Sequence, residues 1–168
     1  TPKPSSAASD VYKRQYQGDV PVESVVDVAQ RYLAMQVDEI DVADTIGVGT
    51  PQRVRDVMAA VTRVVDPARV SGHFHDTYGQ ALANILAALE TGISIFHTSV
   101  AGLGGCPYAK GATGNVATED VLYMLRGLDI DTGVDFDAVV DIGQWMSAHL
   151  NRKGSSRAGN AIAAKRAA

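Results

Sequence analysis

Two histidines one residue apart, His73 and His75, are the side chains of this sequence best placed for chemistry. They close the run Val70-Ser71-Gly72-His73-Phe74-His75, whose composition predicts a β-strand that turns directly into a helix. Side chains alternate across a strand, so both imidazoles leave one face, roughly 7 Å apart, with Phe74 on the other. Two imidazoles so placed can converge on one metal ion. The plainer alternative is a pair of polar residues at a solvated strand end. Asn115 offers a carbonyl oxygen as a third donor, or else caps the helix that follows it. Nitrogen and oxygen donors without thiolate favour a divalent ion such as Mg²⁺ or Mn²⁺ over a structural zinc.

The single cysteine, Cys106, lies in a glycine-rich stretch, Ala101-Gly102-Leu103-Gly104-Gly105-Cys106-Pro107. Structural cysteines usually sit in apolar elements, and a loop thiol is better placed for reactivity. A loop cysteine without a role is the competing reading. Gly102, Gly104 and Gly105 permit positive φ and close backbone approach, although the loop lacks the Gly-Lys-Ser/Thr ending of a phosphate cradle. Asp44 ends a strand before a glycine loop, as an acid/base group or as a cap for the turn. Asp76 either orients a metal ligand from behind or caps the helix expected near Tyr78. Glu119 and Asp120 suit a helix N-terminus, and Glu119 joins Asp76 as an expected support for the ligands. His97 reads as a packed, hydrogen-bonded mid-strand histidine.

The 168 residues suffice for one domain with a core, and 46% hydrophobic content fits a globular chain. A net charge of −4 argues against a nucleic-acid footprint. One cysteine excludes an internal disulfide. No apolar run approaches the ~20 residues of a membrane span, and no hydrophobic signal core opens the sequence. A soluble intracellular protein is expected.

These residues need elements to position them. Residues 1–15 are polar and unpatterned and read as a non-native or disordered arm. A helix is expected from Pro21, then a strand over 39–44. Thr50 and Pro51 open a second helix that carries Val54, Val57, Met58, Val61 and Val65 on one face and breaks at Asp66-Pro67. The strand 70–75 is followed by a helix ending at Gly92 and by a third strand over 93–100. Residues 116–118 read as a short fourth strand. Helices follow, the last over about 136–150 with Asp135 as N-cap, and a frayed tail closes the chain after Asn151. The domain proper is expected over 16–153, with 154–168 as the tail. Strands alternating with helices indicate an α/β fold with a parallel sheet. Polar residues gather just after the strand ends, where such folds place their sites. A complete (β/α)8 TIM barrel takes about 250 residues. About four βα units plus a C-terminal helix therefore read as a truncated C-terminal half of one.

Three blocks together resemble the 3-hydroxy-3-methylglutaryl-CoA (HMG-CoA) lyases. They are Asp44-Thr45-Ile46-Gly47-Val48-Gly49-Thr50, residues 73–84, and residues 100–120 with Val100-Ala101-Gly102-Leu103-Gly104-Gly105-Cys106-Pro107-Tyr108-Ala109 at their centre. The resemblance runs from about Tyr16 to Lys153. The histidine pair is shared with a wider superfamily of metal-dependent lyases and Claisen-type synthases, and the Cys-Pro-Tyr-Ala loop points to the lyase branch. The resemblance implies a TIM barrel that cleaves HMG-CoA to acetyl-CoA and acetoacetate, in leucine degradation and ketone-body metabolism. It implies His73, His75 and Asn115 as ligands of Mg²⁺ or Mn²⁺, Cys106 as a catalytic residue on a closing loop, and Asp44 in proton transfer. An acyl-CoA substrate, a homodimeric full-length form and a bacterial cytoplasmic location are further expectations, with a mitochondrial origin left open. A fourth ligand, an aspartate following an essential arginine, is expected on a strand before the matched stretch. Ala43 stands where the family has glycine, and His97 where it usually has aspartate. A Claisen-type synthase and a non-catalytic truncated metal-binding module are the alternatives.

Overall fold

The computed structural model describes residues 6–8, 20–105 and 114–168. They belong to two compact units, the first running to His97 and the second made of Thr98–Gly105 and Thr113–Ala168.

The first unit alternates strand and helix: β1 (Ser6–Ala8), α1 (Val22–Ala34), β2 (Ile40–Asp44), α2 (Pro51–Val61), β3 (Val70–Phe74), α3 (Ala81–Leu89) and β4 (Ile95–His97). The strands form one parallel sheet in the order β1-β2-β3-β4. Parallel neighbours need crossover connections, and α1, α2 and α3 supply them. His73 pairs with Ala43 on one side and with His97 on the other. β1 lies inside the segment set aside as an arm, and its Ser6 and Ala8 pair with Ile40 and Val42. A ladder uses backbone groups, so three small residues can join it without any hydrophobic pattern.

Alternation divides the sheet's faces. Ile40, Val42, Val70 and Phe74 leave one face and are buried with Val54, Val57, Met58 and Val61 of α2 and Ile85 of α3. Asp41, Ser71, His73 and His75 leave the other face. The apolar face fixes the register, because a slip of one residue would bury the polar set.

Several boundaries depart from expectation. Thr50 occupies the N-cap of α2 with extended backbone, but its side chain makes no capping bond. Pro51, which has no N–H, removes one of the donors a cap would serve. The helix stops at Val61, before Asp66-Pro67, where the Thr62 hydroxyl donates to the Met58 carbonyl at 2.9 Å. Val65 is still buried, outside the helix. α3 starts at Ala81, later than Tyr78.

The second unit holds α4 (Thr118–Gly127), α5 (Phe136–His149) and α6 (Arg157–Arg166). The expected strand over 116–118 reduces to a single parallel bridge between Ser99 and Ala117. Asp135 caps α5 as expected, accepting from the Ala138 amide at 3.0 Å. The stretch read as a frayed tail contains α6. Its N-terminus is held by Asp120, which accepts from the Ser156 hydroxyl at 2.8 Å and from the Arg157 and Ala158 amides at 3.2 and 2.7 Å. Its C-terminal Arg166 reaches Asp137 and Asp141 of α5. The helix has its own N-cap, Ser156, which accepts from the Gly159 amide at 2.9 Å, and Asp120, 36 residues earlier, adds a tertiary anchor that local periodicity cannot reveal.

Candidate functional site

The site is built on the polar face of the sheet in the first unit. The rings of His73 and His75 stand 5.2 Å apart between centroids, on one face as the alternation requires. The neighbouring strands add partners that the sequence reading did not place at this site. The His97 ring lies 6.0 Å from that of His73, edge to face. Its Nδ1 stands 3.5 Å from Asp41 Oδ1, and its Nε2 3.7 Å from Glu39 Oε1. His97 is thus not a packed mid-strand residue. It ends β4 with its side chain 45% exposed. Three strands in register deliver Asp41, His73 and His97 to one place, with a ligand atom of each within 4.8 Å of the others. Asp41 shares the strand parity of the histidine face, but only the register between β2 and β4 shows which residues meet.

Asp41 is buried and accepts from the Ser71 hydroxyl at 3.1 Å. Burial pushes its carboxyl above the ordinary value, and the His97 and His73 rings pull it partly back.

Asp44, fully buried, accepts from the Val48 amide at 3.1 Å and the Gly49 amide at 2.7 Å. Of the two uses open to it from sequence, the structure shows the turn cap. Gly49 is required there, because a Cβ at that position would stand 2.7 Å from Asp44 Oδ2. Asn84 of α3 donates to the Gly49 carbonyl at 3.0 Å and completes the turn. Asp76 accepts from the Ala81 amide at 3.0 Å and so anchors the start of α3 from five residues away, although Gln80, not Asp76, holds the N-cap position.

In the second unit, the Asn115 amide donates to the Leu103 carbonyl at 2.9 Å. That bond fixes which way the amide faces. Its Oδ1 is buried and has no hydrogen-bond partner among the described residues. A buried carbonyl oxygen left over in this way is what a hard-cation ligand presents. Within the second unit, the Asn115 oxygen therefore has the chemistry of a hard-cation donor. Gly104, at φ +113°, lies so close to the Asn115 amide that a Cβ would collide with it. Gly102 has φ +61°, and a Cβ at the exposed Gly105 would meet no atom of the described residues within 4 Å. Glu119 is buried and takes the Ala101 amide on both carboxylate oxygens, at 3.0 and 2.9 Å. It holds the residue next to Gly102, and burial raises its carboxyl above the ordinary value. Cys106 lies outside the described residues. No helix among the described residues is long and apolar enough to cross a membrane.

Known proteins resemble this chain in sequence and in fold. The chain is 57% identical over 150 residues to the 3-hydroxy-3-isohexenylglutaryl-CoA/hydroxymethylglutaryl-CoA lyase of Pseudomonas aeruginosa, covering 89% of this chain and 50% of that protein. A crystal structure of hydroxymethylglutaryl-CoA lyase from Pseudomonas aeruginosa superposes with a TM-score of 0.90 at 55% identity, over 95% of this chain and 53% of that one. An HMG-CoA lyase from Acinetobacter baumannii, solved in complex with coenzyme A and 3-methylmalate, superposes at 0.85 with 32% identity, over 90% of this chain and 50% of that one. The chain thus spans about half the length of the relatives it matches. Its fold is the α/β TIM-barrel fold of those lyases over the matched part. The HMGL-like family profile matches residues 6–146, and the chain belongs to that family.

Proposed function

We propose that this chain serves the metal-dependent cleavage of HMG-CoA to acetyl-CoA and acetoacetate. The observation that carries the proposal is the His73–His75 pair on one face at the end of β3, in a chain 57% identical to a named lyase. The coenzyme A bound in the Acinetobacter relative supports an acyl-CoA substrate. The relatives named above are lyases, which favours cleavage over the Claisen-type synthase.

In this reading His73, His75 and Asn115 are the metal ligands, and Mg²⁺ or Mn²⁺ is the ion. When bound, a divalent cation supplies Lewis acidity to a hydroxyl oxygen. The remaining chemistry is proton management. The tertiary hydroxyl of the substrate loses its proton, the neighbouring carbon–carbon bond breaks, and its electron pair passes to the acetyl-CoA enolate. That carbon then takes up a proton. Cys106 is the proposed acid, on a loop that limits water access when closed. Asp44 is the proposed partner in proton transfer, with its carboxylate held in one orientation by the Val48 and Gly49 amides. Asp76 and Glu119 act from behind, by anchoring the start of α3 and the residue before Gly102. A homodimeric full-length form belongs to the same proposal.

The test is acetoacetate release from HMG-CoA with Mg²⁺ or Mn²⁺ and a thiol reductant, for the chain and for Cys106→Ala. Release that is lost in the variant supports the lyase. Equal release by both, or condensation of acetyl-CoA with 2-oxoisovalerate or 2-oxoglutarate in place of cleavage, overturns it.

A further inference from the structure

The geometry points to a second way for this chain to hold a metal: Asp41, His73 and His97 form a three-ligand site for a borderline transition ion such as Zn²⁺ or Co²⁺, sharing only His73 with the ligand set proposed above.

Four observations carry this. First, each ligand comes from a different one of three adjacent paired strands, β2, β3 and β4, so the backbone holds their spacing. Second, the distances suit a small ion. Two donors at about 2.1 Å from a tetrahedral ion lie about 3.4 Å apart. Asp41 Oδ1 and His97 Nδ1 are 3.5 Å apart, and the whole set lies within 4.8 Å. Rotamer adjustment of the exposed His97 ring can close the remainder.

Third, the groups behind the ligands are in place. Glu39 Oε1 stands 3.7 Å from His97 Nε2, the nitrogen left over when Nδ1 faces Asp41. A carboxylate behind a ligating imidazole fixes its tautomer and raises its basicity. Ser71 donates to Asp41 Oδ1 and orients that carboxylate in the same way. Fourth, the donor set of two imidazoles and one carboxylate suits zinc-like ions, with open positions for water or an exogenous ligand. The other set also offers two imidazoles and differs in having the neutral Asn115 oxygen where this one has a carboxylate. Because His73 serves both sets, an ion at the new site competes with one at the other. Excess Zn²⁺ should therefore inhibit any Mg²⁺-supported activity in a way that His97→Gln relieves.

The experiment is Co²⁺ and Zn²⁺ titration of the full chain, read by the visible absorption of tetrahedral Co²⁺ and by the imidazole nitrogen shifts of ¹⁵N-labelled histidines. Three backgrounds are compared: the unaltered chain, His75→Ala with Asn115→Ala, and that double variant with Asp41→Asn or His97→Gln added. The double variant should keep one tetrahedral Co²⁺, and His97 Nδ1 should shift on Zn²⁺ addition. Adding Asp41→Asn or His97→Gln should weaken binding by about 100-fold, and Glu39→Gln by about tenfold. A folded double variant that binds no Co²⁺, or one whose binding ignores Asp41→Asn and His97→Gln, overturns the site. So does an unaltered chain in which saturating Zn²⁺ leaves His97 unshifted, a reading that needs no variant to fold. Loss of Asn115 alone tests the other ligand set, so the two readings fail separately.

Discussion

His97 and Asp41 face each other across β3, with Nδ1 and Oδ1 3.5 Å apart. The relationship exists only because the strand between them brings β2 and β4 into a common register. It joins an exposed imidazole to a buried carboxylate, and the two ends should respond differently to mutation. His97→Ala removes a half-exposed partner from a screened pair and should cost under about 1 kcal/mol. Asp41→Ala strands the buried Ser71 hydroxyl and should cost about 1–3 kcal/mol. Urea denaturation of the metal-free chain checks the order, and equal losses would contradict it.

Asp120 should matter for stability out of proportion to its place at the start of α4. It accepts from Ser156, Arg157 and Ala158 at the start of α6. Asp120→Ala removes these three bonds and leaves the buried Ser156 hydroxyl with only its own cap to Gly159, for an expected loss of about 1–3 kcal/mol with reduced helicity. Far-UV circular dichroism and urea denaturation read both. A change below about 0.5 kcal/mol would place Asp120 among ordinary surface residues.

Glu119 gives a pH signature. Burial raises its pKa, so the folded chain keeps the proton to higher pH than the unfolded chain. Between the two values the folded state binds more protons, and stability falls as pH rises. The contribution is complete below the ordinary glutamate value and is lost as pH climbs through the raised one. Glu119→Gln cannot titrate. The stability difference between wild type and variant should therefore decline across that window and level off on either side. A difference that stays flat, or rises, through the acidic range would contradict the burial argument.

Gly49→Ala tests the Asp44 turn. The added methyl would sit 2.7 Å from Asp44 Oδ2, so the carboxylate must give up the Gly49 amide or the turn must open. The expected loss is about 1–3 kcal/mol. Thermal unfolding of the variant at wild-type stability would show that the turn adapts freely.

Much of this arrangement was legible in the residues themselves. The parity of His73 and His75 gave their shared face, because alternation is a property of any strand. Asp135 was readable as a cap because its partner lies three residues on. Most of the misses share one physical cause, which is information carried between elements that are distant in sequence. Asp41 and His97 meet through register, the start of α6 is anchored by a carboxylate 36 residues earlier, and β1 joins the sheet by pairing with β2. The early end of α2 is the local exception, where the Thr62 hydroxyl and backbone N–H share the Met58 carbonyl at the helix end.

The most direct test of the central proposal is HMG-CoA cleavage by the chelator-treated protein, followed as Mn²⁺ is restored, for wild type and for Asn115→Ala. Cleavage should vanish without metal and return on titration. Several kcal/mol of lost transition-state stabilisation should leave Asn115→Ala at least about 100-fold slower at saturating HMG-CoA and Mn²⁺. Cleavage that survives the chelator, or an Asn115→Ala protein that turns over at the wild-type rate, would contradict metal-dependent cleavage through these residues.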